Sequence, residues 1–157
     1  MDFHISGELK RYNHLITETD RAYHEASLRL GLSDSAMIIL YTICEDGQER
    51  CPLKELCRRS GLSKQTVNSA LRKLEGEEIL SLEKAGGKNK NVRLTEKGKA
   101  LADNTALRIM EAENEIFASW PREEVEKYLQ LMEQYLISFR EKAAKICEED
   151  ESYDTFI

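Results

Sequence analysis

The chain reads as mainly α with a small β-hairpin: a winged helix-turn-helix held between N- and C-terminal dimerisation helices. Three observations predict this. Two long runs, one at each end, carry apolar residues at alternating four- and three-residue spacing. A glycine divides two short helical runs in LCRRSGLSKQTVNSALRKLE, residues 56–75. Just beyond it, the alternating segments ILSLEKA and NVRLT flank the turn-rich GGKNK.

The first run places Ile5, Leu9, Tyr12, Ile16, Tyr23, Ala26 and Leu30 on one helical stripe, with Thr19 filling the gap. Gly31 ends it. Ser33 is placed to cap a second helix whose centre, AMIILYTIC, is apolar nearly all round and is expected to be buried. EDG at 45–47 closes that helix, and Pro52 suits the first position of a third. The third ends near Gly61, and Ser63 caps the fourth. The hairpin follows. Leu94-Thr95 then leads into one long helix through about Ala118, and Pro121 starts the last, with Glu123 and Glu124 favourable in its first turn. The stripe of that last helix is Val125, Leu129, Met132, Leu136, Phe139, Ala143 and Ile146. Two long stripes exceed what a chain this small covers by itself, so a second copy of the chain is the expected partner. The predicted organisation is an N-terminal dimerisation helix (1–32), a winged lobe (33–98; helix-turn-helix 53–75, wing 79–95), C-terminal dimerisation helices (99–150) and an acidic tail (151–157).

Charge is unevenly distributed. The net charge of −6 argues against a nucleic-acid partner, yet residues 54–99 hold 12 Lys and Arg against 6 Asp and Glu. A solvated basic face is the plain explanation, and the helix-turn-helix supplies the sharper one. Cys57 is a small residue where the two helices must touch, Gly61 supplies a left-handed turn, and Leu62, Val67 and Ala70 point inward. The outward face then carries Ser63, Lys64, Gln65, Thr66, Asn68, Ser69, Arg72 and Lys73, with no carboxylate from Ser60 to Leu74. Amides match adenine edges, lysine matches guanine, and the threonine methyl matches that of thymine. Arg58, Arg59, Arg72 and Lys73 are placed for phosphates, and Lys88, Asn89 and Lys90 form the basic wing tip. The expected partner is double-stranded DNA with a pseudo-palindromic operator. The alternative is a winged-helix protein adaptor that binds no DNA.

Other features are weighed against chemistry. His4, His14 and His24 repeat every ten residues and point in different directions along one helix, so no metal site is expected. No phosphate loop, nucleophile elbow or acid pair occurs, so no enzyme, no catalytic residue and no cofactor is expected. Trp120 before Pro121 reads as a hinge anchor rather than a ligand stacker. Cys51, before Pro52, is the redox candidate: a thiol near a helix N-terminus and beside Arg50 should have a lowered pKa, whereas Cys44 and Cys57 should be buried. Cys147 lies near an acidic end, which disfavours thiolate. The cysteines show no C-x-x-C spacing, the N-terminus MDFHISGELKRY is polar, and no apolar run approaches the ~20 residues that span a bilayer. The expected location is the cytoplasm, with no membrane partner.

The helix order, LCRRSGLSKQTVNSALRKLEGEEIL, the LTEKG at 94–98 and the long C-terminal helices together resemble the MarR (multiple antibiotic resistance regulator) family of bacterial transcription factors, over nearly the whole chain. The resemblance implies an obligate homodimer joined by its first, fifth and sixth helices, a fourth helix that reads DNA and a wing tip that enters the minor groove. It further implies a repressor released by a small ligand or stress signal. The effector crevice, between the dimer helices and the DNA-reading lobe, would be lined here by Tyr12, Tyr23, Met37 and Tyr41, which read equally as plain core. One departure stands out. The family's wing carries Asp-x-Arg eight and six residues before the Leu of the Leu-Thr pair, where this chain has Gly86 and Lys88. The intra-wing ion pair is therefore expected to be missing, while a cation remains.

Overall fold

A computed structural model describes residues 4–86 and 89–153, with side chains as far as Ile146. The chain forms two compact units, one ending at Glu111 and one beginning at Ala112. The first unit opens with α1 (Gly7–Arg29), capped by the Ser6 hydroxyl, which accepts from Leu9 N at 3.1 Å. Next come α2 (Asp34–Cys44), β1 (Arg50–Pro52), α3 (Leu53–Arg59), α4 (Lys64–Gly76), β2 (Leu80–Lys84), β3 (Lys90–Leu94) and α5 (Glu96–Asn104). The caps fall where the hydroxyls predict: Ser33 Oγ accepts from Ala36 N, and Ser63 Oγ accepts from Thr66 N at 3.1 Å. Gly61 turns the chain between α3 and α4 at φ +66°, a conformation that costs glycine little.

Three expectations need correction. Pro52 does not begin α3. It ends a short third strand and stands at the N-cap of a helix that starts at Leu53. That strand escapes periodicity because three residues cannot display alternation. It pairs antiparallel with β3 (Cys51 opposite Val92), so the sheet order is β1-β3-β2 and the hairpin gains a third strand. The single long helix after the wing is instead two, α5 and α6 (Ala106–Ser119), interrupted at Thr105 (φ −132°, ψ −88°). Thr105 is buried, and its hydroxyl donates to Leu101 O at 2.7 Å, so the polar side chain is satisfied where the helix breaks. Finally, α7 (Arg122–Tyr153) continues three residues into the segment assigned to the acidic tail.

The core of the first unit is built where the apolar positions converge. Ile39, Leu40 and Ile43 of α2 are buried with Leu56 of α3, and Val67, Leu71 and Leu74 of α4 join them. Leu80, Val92 and Leu94 close the core from the sheet. Strand alternation puts Arg50, Ser81, Glu83, Asn91 and Arg93 on the opposite, solvent-facing side. By contrast, the α1 stripe is only partly covered: Leu9, Ile16 and Tyr23 are exposed. In the second unit the same holds for α7, where Leu129, Met132, Leu136 and Phe139 are each more than 40% exposed. Among the described residues no single helix is long and apolar enough to cross a membrane.

Candidate nucleic-acid interface

The fourth helix separates its two chemistries cleanly. Val67, Leu71 and Leu74, spaced four and three apart, are at most 2% exposed. Lys64, Gln65, Thr66, Asn68, Ser69, Arg72 and Lys73 are all on the exposed side. Ser63 is exposed but committed locally, capping the helix and bonding Thr66 Oγ1 at 2.8 Å. Among the described residues Lys64, Arg72 and Lys73 enter no ion pair, so their cations face solvent uncompensated. An open groove runs along this face, lined by Lys64, Gln65, Asn68, Ser69 and Arg72. A second hollow of about 460 Å³ lies between the start of α2 (Ser33, Ser35, Ala36) and α4 (Thr66, Ser69, Lys73).

The two arginines of α3 expected at phosphates differ. Arg58 sits on the surface, 70% exposed, with its guanidinium on Glu55 of the same helix at 2.7 Å. Such an exposed pair exchanges readily with water or another anion. Arg59 corrects the expectation. Its guanidinium bridges Glu45 and Asp46 at the end of α2, and its side chain is only 21% exposed. The two carboxylates hold its pKa above the ordinary arginine value. Arg59 braces α3 against the α2–β1 turn, with two carboxylates beside its guanidinium.

The wing does have an internal ion pair, in a different place from the family's. Arg93 Nη1 donates to Glu83 Oε1 at 3.3 Å across β2 and β3. Asn89 and Lys90 are exposed, and Ala85 N donates to Asn89 O at 3.0 Å to close the turn. Lys88 lies outside the described residues. Sequence reasoning passed over Lys84, which stands directly opposite Lys90 at the outer end of the hairpin. Counting the strand register outward from Leu80 and Leu94 would have found it, because like charges opposed on a ladder are unfavourable without an anion nearby.

The redox assignment of Cys51 also changes. Cys51 lies in β1, is 4% exposed and packs in the core. Burial pushes its thiol pKa up, and the lowering effect of Arg59 does not overcome this. Cys44 and Cys57, expected to be buried, are the half-buried ones, and burial and Asp103 raise the Cys44 pKa as well. The effector candidates are dispersed by environment. Met37 is core, Tyr41 packs against the core, Tyr12 is half-buried and Tyr23 is exposed. Tyr12 and Tyr23 are eleven residues apart on α1, or roughly 16 Å along its axis. His24 bonds Asp34 at 2.8 Å, tying α1 to the first residue of α2. Trp120 packs edge-on against Phe117 and Tyr128, with centroids at 5.7 and 5.5 Å, as an anchor at the α6–α7 junction would.

Comparison with known proteins agrees with this geometry. Residues 30–88 match the model of the MarR family. The fold is similar to that of NMB1585, a MarR family regulator from Neisseria meningitidis (20% identity, 89% of this chain and 98% of that one, TM-score 0.72). It is similar to Staphylococcus aureus MepR, solved with DNA (16%, 87% and 99%, 0.66), and to Bordetella bronchiseptica BpsR, whose DNA binding is regulated by 6-hydroxynicotinic acid (15%, 80% and 98%, 0.59). No curated protein sequence matches the chain. The winged lobe thus matches the MarR family model, and most of the chain shares the fold of MarR family structures.

Proposed function

We propose that the chain is a homodimeric, sequence-specific DNA-binding regulator of transcription, acting in the cytoplasm as a repressor released by a small ligand or stress signal. The observation that carries this reading is the outer face of α4. It exposes hydroxyls, amides and unpaired cations, holds no carboxylate from Ser63 to Leu74, and is fixed by three buried apolar residues. A basic face on an otherwise acidic chain is the electrostatic footprint that a polyanion would meet. Gln65, Thr66, Asn68 and Ser69 read base edges; Lys64, Arg72, Lys73 and Arg58 meet phosphates; Lys84 and Lys90, with Asn89 and Lys88, clamp the flanking backbone. The exposed stripes of α1 and α7 support the dimer, because apolar surface on this scale asks for a cover. MepR with DNA and BpsR with its effector lend the fold the matching precedents. The effector of this chain would act only by preferring one of two dimer states that differ in DNA affinity.

The test is binding of the dimer to duplexes selected from a random pool. Half-sites are expected about one helical turn apart, ~34 Å centre to centre. With about eight phosphates neutralised, log K should fall against log salt with a slope of ~−7. A slope near zero, or a stable monomer at micromolar concentration, leaves a protein adaptor as the better reading.

A further inference from the structure

The C-terminal end of α4 is gripped in a way that its own sequence does not explain. The helix closes in a Schellman arrangement, with Ile79 N donating to Leu74 O at 2.9 Å and Glu78 N to Glu75 O at 3.0 Å. The left-handed position of that motif normally belongs to glycine, yet Glu78 occupies it at φ +58°. It is the one non-glycine residue with positive φ among the described residues. Such a conformation persists when the surroundings over-determine it.

The surroundings are a five-residue stretch on the far side of the wing. Three successive carbonyls, those of Glu77, Glu78 and Ile79, each accept a hydrogen bond from it. Lys97 Nζ donates to Glu77 O at 2.8 Å. Thr95 Oγ1 donates to Glu78 O at 2.6 Å, and Thr95 N donates to Ile79 O at 3.1 Å. Gly98 completes the grip: a Cβ there would lie 1.9 Å from Ile79 O, so only glycine lets α5 come this close. The same Thr95 hydroxyl accepts from Gly98 N at 3.0 Å and caps α5. Water could satisfy the end of an exposed helix. A clamp on three consecutive carbonyls, with an ammonium at the negative end of the helix dipole, does more: it fixes where the helix ends and which way its axis points.

We propose that Thr95, Lys97 and Gly98 are positioning residues that lock the end of α4 to the start of α5 and so set the angle at which the α4 face meets DNA. The proposal rests on the DNA-reading assignment of α4. None of the three needs to touch a base. Their effect is on discrimination, because base-edge hydrogen bonds demand an orientation that phosphate attraction does not.

Lys97→Met keeps the apolar stem and removes the donor. Lys97→Arg keeps a donor. Binding of each, and of the wild type, is measured on the best duplex selected by the wild type and on a scrambled duplex, as a function of salt, beside thermal melting. The expected result for Lys97→Met is a ~3–10-fold fall in the ratio of the two affinities, with scrambled-DNA affinity and salt slope nearly unchanged and a small fall in melting temperature, as the loss of one exposed hydrogen bond gives. Lys97→Arg should recover most of the ratio, and Thr95→Ser should keep it where Thr95→Val does not. Equal losses on both duplexes with a salt slope smaller by about one would overturn the proposal in favour of a phosphate contact by Lys97. A lower melting temperature with an unchanged ratio would overturn it in favour of a purely structural bond. A wild type that shows no discrimination removes the DNA reading itself, and the clamp's role with it.

Discussion

Replacing Gly98 with alanine is the sharpest test of how the winged lobe is assembled. The added Cβ would sit 1.9 Å from the Ile79 carbonyl oxygen and 2.9 Å from its carbon. A relaxed carbon–oxygen contact is ~3.3 Å, so the two backbones must separate by roughly 1.4 Å. The obstacle is main chain, which cannot swing aside as a side-chain tip would. Separation stretches the bonds that Ile79 O accepts from Thr95 N and Thr95 Oγ1, each 3.1 Å long. Overpacking of this kind costs ~1–3 kcal/mol, and each weakened bond adds ~1 kcal/mol. Alanine returns up to ~1 kcal/mol of helix propensity. The net expectation is ~2–4 kcal/mol of destabilisation. It is read as a lower urea midpoint at unchanged m-value and fixed protomer concentration. Gly76→Ala is the internal control. It lies in α4 with ordinary φ and nothing within 4 Å of its added Cβ, so it should stabilise by ~0.5–1 kcal/mol. If Gly98→Ala shifts the midpoint no further than Gly76→Ala, or in the same direction, the close approach of α5 to Ile79 is wrong.

Other substitutions probe separate parts of the molecule. Glu78→Gly removes a side chain from a left-handed position and should stabilise by ~0.5–1 kcal/mol; a loss of stability would show that Glu78 is held by something other than backbone geometry. Gln65→Ala should cost ~1–3 kcal/mol on a selected site and little on random DNA, and equal losses would place Gln65 away from the bases. Arg72→Ala should reduce the magnitude of the salt slope by about one while Arg59→Ala leaves it unchanged, since only Arg59 is already engaged by carboxylates; equal reductions would free Arg59 for phosphate. Iodoacetamide should label Cys57 before Cys51 in the native protein. The raised pKa of Cys51 leaves less thiolate at a given pH, so its rate should still be climbing above the usual thiol range; early labelling of Cys51 would contradict its burial in β1.

Hydroxyls at Ser33 and Ser63, the glycine at 61 and the four-three spacing of apolar residues were enough to place α1, α2, α4 and α7, because caps, turns and amphipathic stripes act within one or two turns of chain. The polar face of α4 was legible for the same reason: inward Val67, Leu71 and Leu74 determine which residues remain outside. Long-range packing decided the rest. β1 is too short to show a pattern and exists only because β3 offers it a partner 41 residues away, at Cys51 and Val92. That pairing buries Cys51 and reverses the expected direction of its pKa. Arg59 and Arg58 are adjacent cations in sequence, yet the turn after α2 brings two carboxylates to one of them and not to the other. Nothing in LTEKG itself signals that the Ile79 carbonyl packs against its glycine. Contacts of this kind depend on where distant backbones meet, and no local preference of the residues involved encodes that.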